Sequence, residues 1–143
     1  MTLNNTNAKL TIHSTQVVMG EEQSSLSNEE AFYTKKGDKY YVLYHERDEN
    51  GHAENKVQLI IAKDGVTVTR SGAVSARLVY HINEKTETNY RLVYGILNVE
   101  VFTRKIEFSE NPDGFYLEMD YDISIGEEKL KTCLKITVEK KEQ

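Results

Sequence analysis

Residues 114–125 read GFYLEMDYDISI. Phe115, Leu117, Met119, Tyr121, Ile123 and Ile125 alternate there with Tyr116, Glu118, Asp120, Asp122 and Ser124. Successive side chains of a β-strand point to opposite faces, so this stretch presents one apolar and one polar face. Residues 128–139 keep the rhythm, with Leu130, Leu134, Ile136 and Val138 on one side and Lys129, Lys131, Lys135 and Glu139 on the other. A period of two with one wet face belongs to antiparallel sheets.

Working outward, turn signals bracket further runs of this kind. Lys63-Asp64-Gly65 separates Val57–Ala62 from Val66–Arg70, and Asn111-Pro112-Asp113-Gly114 leads into the Phe115 strand. Lys36-Gly37-Asp38, Tyr94-Gly95-Ile96 and Gly126-Glu127 read the same way, because Gly and Asp supply the backbone angles of a tight reversal. Strands are predicted near 8–18, 29–36, 39–46, 56–63, 66–71, 76–83, 87–94, 97–109, 114–125 and 128–139. The stretch GEEQSSLSN at 20–28 reads as a long gap holding a helical turn or a lid, and 48–55 as a second polar loop.

One strand changes phase within itself. Leu97, Val99 and Val101 are odd-numbered, whereas Ile106 and Phe108 are even. Either an extra residue sits at Thr103-Arg104-Lys105, bending the strand, or Ile106 and Phe108 lie on an outer face under a loop.

Strands in series with no helical segment leave a sandwich or a barrel. The short connections favour an all-β, antiparallel up-and-down meander closed into a barrel of about 8–10 strands. With 143 residues the chain fits a single domain, assigned to 8–140, preceded by a frayed polar tail at 1–7.

Composition narrows the function classes. With 18 Lys and Arg against 23 Asp and Glu, the net charge of −5 leaves no cationic excess to displace counterions from nucleic-acid phosphate. Cys133 is the single cysteine, so no internal disulfide is possible and a reducing, cytoplasmic compartment is expected. No apolar run approaches the roughly 20 residues of a membrane-spanning helix, and MTLNNTNAKL lacks the features of a signal peptide.

His13, His45, His52 and His81 have no metal-ligand spacing, and no phosphate loop or nucleophile elbow is present. The expectation is therefore a non-enzymatic protein with no cofactor. Cys133 lies between Lys131 and Lys135, a basic setting that would lower its pKa, but with no base placed beside it the thiol reads as idle. Glu118, Asp120 and Asp122 read as a solvated face paired with lysines of the following strand.

Tracing the meander brings unusual residues together. If strand 39–46 ascends, its apolar side carries Tyr40, Val42, Tyr44 and then Glu46; the next strand descends, and the one after ascends through Val66 and Val68 to Arg70. Glu46 and Arg70 then finish at one end, two strands or roughly 10 Å apart. A buried arginine requires a partner, so a Glu46–Arg70 pair is predicted at one mouth, with Tyr44 and Tyr94 beside it. Two readings remain open: an anchor for a ligand's polar or anionic group, or an ion pair that closes the barrel end.

The order Tyr44-His45-Glu46, Val68-Thr69-Arg70-Ser71-Gly72, Tyr94-Gly95, Thr103-Arg104-Lys105-Ile106 and Gly114–Leu117 resembles the YwiB-like uncharacterised bacterial proteins. The resemblance spans about residues 8–139 and implies a calycin-like, lipocalin-type barrel without an established activity. The resulting expectation is a binder of a small apolar or amphipathic molecule. Arg70 would anchor its polar head, and Tyr40, Tyr44, Tyr80, Tyr90 and Tyr94 would line the way. The alternative is an interaction module, in which outward Tyr41, Leu43 and Val93 form a contact between two copies.

Overall fold

The computed structural model describes residues 6–47, 50 and 52–141. Ten antiparallel strands form one sheet: β1 (Ala8–Val18), β2 (Glu21–Lys36), β3 (Lys39–Arg47), β4 (Ala53–Ala62), β5 (Gly65–Gly72), β6 (Ala76–Tyr80), β7 (Lys85–Leu92), β8 (Gly95–Asn111), β9 (Gly114–Ile125) and β10 (Glu128–Lys140). There is no helix among the described residues. Their order in the sheet is β6-β5-β4-β3-β2-β1-β10-β9-β8-β7, so consecutive strands pair except β6 and β7, the two edges, and β1 also pairs with β10.

The sheet curls until its two edges meet. Ser75 and Arg91 exchange a pair of backbone hydrogen bonds of 2.9 Å there, and the Thr86 hydroxyl donates to the Val79 carbonyl at 2.6 Å. The barrel is thus nearly closed, with a seam between β6 and β7. Hairpin turns alternate between two poles. The lower pole carries the turns after β2, β4, β6 and β8, and the upper pole those after β1, β3, β5, β7 and β9.

The alternation at 114–125 is realised in β9. Phe115, Leu117 and Met119 are fully buried and Tyr121 nearly so, while Tyr116, Glu118 and Asp120 on the other face are half-buried. The lower half of the interior is an aromatic plug. Phe115 lies 5.4 Å from Tyr33 and 5.3 Å from Phe108, and Tyr40 stacks 4.6 Å from Phe108. Phe108 and Ile106 reach this core because the register shifts between Thr103 and Lys105. The inserted residue is Arg104, which keeps both halves of the long strand β8 facing inward.

The stretch 20–28 is neither helical nor a lid. Glu21–Asn28 forms the upper half of β2 and pairs residue for residue with β1 from Val18 to Thr11. Its side chains are exposed throughout, so it carries no hydrophobic alternation; the backbone ladder holds it, helped by side-chain hydrogen bonds of Thr11 with Asn28 at 3.0 Å and Thr15 with Ser24 at 3.3 Å. β2 pairs with β3 only from Phe32 to Lys36, so the wall is split above that point. At the amino-terminal end, residues 1–5 of the expected tail lie outside the described residues. Asn7 is tied to β2: its Nδ2 donates to the Tyr33 carbonyl at 2.8 Å and its Oδ1 accepts the Tyr33 N–H at 2.7 Å.

Candidate functional site

The upper half of the interior is a chamber of about 500 Å³. Its floor and one side are apolar, built from Leu59, Val68, Leu78, Ile123 and Ile136, and the β1–β2 side is polar, with Ser14, Gln16, Ser25 and Ser27. Those serines face inward because the period of two runs unbroken from the buried Ala31 up through β2.

Glu46 and Arg70 stand together in this chamber. Arg70 Nε donates to Glu46 Oε1 at 3.0 Å and Oε2 at 3.1 Å, and Nη2 donates to Oε2 at 3.1 Å. The two side chains are 30% and 23% exposed, so most of their hydration is lost. Burial works against the Arg70 charge, but the hydrogen bonds and Coulomb attraction of Glu46 outweigh it and hold the guanidinium above its ordinary pKa.

Asn55, buried between the strands, completes the arrangement. Its Nδ2 donates to Glu46 Oε1 at 3.0 Å, while its Oδ1 accepts the Val74 N–H at 2.9 Å. Gly72 is what permits this approach. Its φ is +147°, and a Cβ there would collide with the Glu54 carbonyl and with Asn55. The Arg70-Ser71-Gly72 sequence thus supplies both the cation and the space for the amide that orients its partner. His45, between Tyr44 and Glu46, points to the outer face, as strand geometry requires.

Tyr44, Tyr80, Tyr90 and Tyr121 line the chamber around this pair. Tyr80 and Tyr121 meet edge to face at 4.8 Å. Burial pushes the phenol pKa of all four above the ordinary 10.0. An acid whose folded pKa is raised keeps its proton in the native state after the unfolded chain has begun to release it. Its contribution is therefore complete below about pH 10 and lost as pH rises further. Unfolding in urea at a series of pH values is expected to show stability falling steadily above pH 10; a flat profile through pH 11 would contradict the burial of these phenols.

Two expected positions require correction. Tyr94 sits at the tip of the β7–β8 hairpin, 84% exposed and outside the lining of the chamber. The strand ends at Leu92, so the turn carries Tyr94 out of the wall before it can face inward. Tyr40 belongs to the lower aromatic plug, the opposite end of β3. Sequence reasoning missed Tyr121, Asn55 and Glu29. Tyr121 was legible from the same ascending trace through Phe115, Leu117 and Met119. Glu29, whose Oε1 accepts from Arg47 Nε at 3.1 Å across the split, is legible too, since it opens the predicted strand 29–36 in phase with Ala31 and Tyr33.

On the outer face, Glu118, Asp120 and Cys133 offer ligand atoms within 4.8 Å of one another, a donor set able to hold a metal ion. Glu118 is already engaged, accepting from Lys105 Nζ at 2.7 Å and from the Tyr116 hydroxyl at 2.8 Å. The cations on this face come mainly from the preceding strand, since the bulge brings Lys105 to Glu118 and Arg104 to Asp122; Lys129 of β10 approaches Asp122 at 3.9 Å. Cys133 also departs from expectation. Burial, then a hydrogen bond with Asp120 and the nearby carboxylate charges, raises its pKa. Iodoacetamide near neutral pH should alkylate it at least about threefold more slowly than free cysteine, with Asp120→Asn faster than wild type. Alkylation at the free-thiol rate would contradict this setting.

Comparison with known proteins locates the fold. A family model described as a domain of unknown function, DUF1934, matches residues 10–136. The crystal structure of ywiB protein from Bacillus subtilis superposes with a TM-score of 0.85 at 23% identity, covering 96% of this chain and 93% of that one. A protein of unknown function from Bacteroides ovatus gives a TM-score of 0.38 at 14% identity, over 95% of this chain and 41% of that one. No match is found among curated proteins. No helix of the described residues is long and apolar enough to cross a membrane.

Proposed function

Because the chain belongs to the DUF1934 family, whose description assigns no activity, its function is read from the site, and we propose that the barrel binds a small amphipathic molecule without transforming it. The observation that carries this reading is the chamber itself. It holds about 500 Å³, within the range of small-molecule sites, with apolar side chains below and the Glu46–Arg70 pair at the polar end. The ligand's body rests on Leu59, Val68 and Leu78, and its head meets Arg70, Glu46 and the hydroxyls of Tyr44, Tyr80 and Tyr90.

The pairing of Arg70 refines the expected anchor. Glu46 neutralises the guanidinium, so a head group that both donates and accepts hydrogen bonds suits the site better than a simple anion. The calycin-like kinship implied by the sequence is a fold-level analogy in the same direction. The single half-buried cysteine suits a cytoplasmic setting.

Titration with N-phenyl-1-naphthylamine, a neutral amphipathic fluorophore, tests the reading. A saturable, blue-shifted emission is expected, weakened about tenfold or more in Ser27→Phe, which fills the chamber from its exposed strand. Absence of saturable emission, or indifference to Ser27→Phe, would overturn it.

The interaction-module reading has support of its own at the β7–β8 hairpin, where Val93, Tyr94 and Ile96 are 95%, 84% and 61% exposed. Tyr41 and Leu43, also expected in that contact, are half-buried on the outer face of β3. Sedimentation across a wide concentration range separates the readings, since a strict monomer would exclude a contact between copies.

A further inference from the structure

We propose that the lower pole carries a second binding site, independent of the upper chamber, for an organic ammonium ion with an apolar body. A recess of about 880 Å³ opens between the turns after β2, β4 and β6, and it shares no lining residue with the upper chamber. Its floor is Tyr40, Ile61, Ile106 and Phe108, and Ile82, 49% exposed, forms a wall.

Charge selects the sign of the ligand. Two lysines stand at the rim, and each is already answered by a carboxylate: Lys35 by Glu110 at 3.2 Å and Lys63 by Asp38 at 3.4 Å. Asp64 and Glu84 line the same recess with no cation partner among the described residues. An anion entering here meets two uncompensated carboxylates, whereas a cation satisfies them.

The aromatic floor selects the kind of cation. Lys35 Nζ already covers the Tyr40 ring, 5.2 Å from its centroid, so the ligand's ammonium goes to Asp64 and Glu84 and the floor is left to its apolar body. Tyr40 is backed by Phe108 at 4.6 Å, which extends the aromatic surface for an apolar body.

His81 adds a directional contact. Its Nδ1 lies 2.6 Å from the Asp64 carbonyl. A carbonyl only accepts, so Nδ1 is the donor, and this bond fixes the ring at the recess against the Asp64–Gly65 turn. Gly65 makes this seat possible, because a Cβ there would collide with the Tyr80 carbonyl and the His81 ring. Asp64, Glu84 and His81 do not converge as metal ligands do; among the described residues only Glu118, Asp120 and Cys133 are that close. The ligand is therefore an organic cation.

Three probes of one shape and different charge decide the question: phenethylammonium, phenylacetate and 2-phenylethanol, each titrated against ¹⁵N-labelled protein near neutral pH. Phenethylammonium is expected to give saturable amide shifts at residues 62–65 and 81–84, about tenfold tighter than phenylacetate, and to weaken in high salt because both carboxylates are exposed. Glu84→Gln, and more strongly Asp64→Asn with Glu84→Gln, should weaken it about fivefold or more with Tm unchanged. Phenylacetate binding as tightly, shifts confined to the upper chamber, or no saturable shifts in protein of unchanged Tm would each overturn the proposal.

Discussion

Glu46→Ala is expected to destabilise the protein by about 2–3 kcal/mol, whereas the double variant Glu46→Leu with Arg70→Met loses markedly less. Removing the carboxylate leaves Arg70 charged in a site where its side chain is only 23% exposed, and it also takes away the acceptor for Asn55 Nδ2. Breaking a fully buried pair costs about 3–5 kcal/mol; the partial exposure here reduces that. Replacing both partners by apolar groups removes the uncompensated charge along with its partner, which is why the double variant recovers. Urea unfolding supplies the numbers, and a fall in Tm of roughly 5–10 °C for the single variant would accompany them. A single variant as stable as wild type would mean the pair contributes nothing to the upper pole.

Phe115→Ala should cost still more, about 3–5 kcal/mol. Phe115 is fully buried and touches three rings, with centroids 5.4 Å from Tyr33, 6.2 Å from Tyr40 and 5.3 Å from Phe108. Its deletion opens a void that strands pinned by β8 and β10 ladders cannot close. The upper chamber lies at the other pole and shares no lining with this plug, so fluorophore affinity in the folded fraction should be unchanged. Equal loss of stability and affinity would show that the two poles are coupled through the core.

How much was legible in the sequence follows from where the signals come from. Side-chain period reported every strand whose face is apolar, and the phase change between Val101 and Ile106 located the bulge correctly. The same tracing placed Glu46 beside Arg70, because a meander makes chain neighbours spatial neighbours. Periodicity is silent where neither face is apolar, which is why Glu21–Asn28 reads as a gap although backbone bonds to β1 make it a strand. Tyr94 was misplaced because a pattern does not tell where a hairpin turns; the strand stops two residues earlier. The direction of the Cys133 pKa, though not the reading of an idle thiol, goes wrong for a related reason. The thiol's sequence neighbours are lysines, but its spatial neighbours across the ladder are Asp120 and Glu118.

Native mass spectrometry of wild type and Ser27→Phe, purified in parallel from the protein's own host without detergent, tests the central claim most directly. A discrete added mass on wild type that is absent from Ser27→Phe is the predicted result. Bare polypeptide mass in both, or the same adduct on both, would contradict a ligand held in the upper chamber.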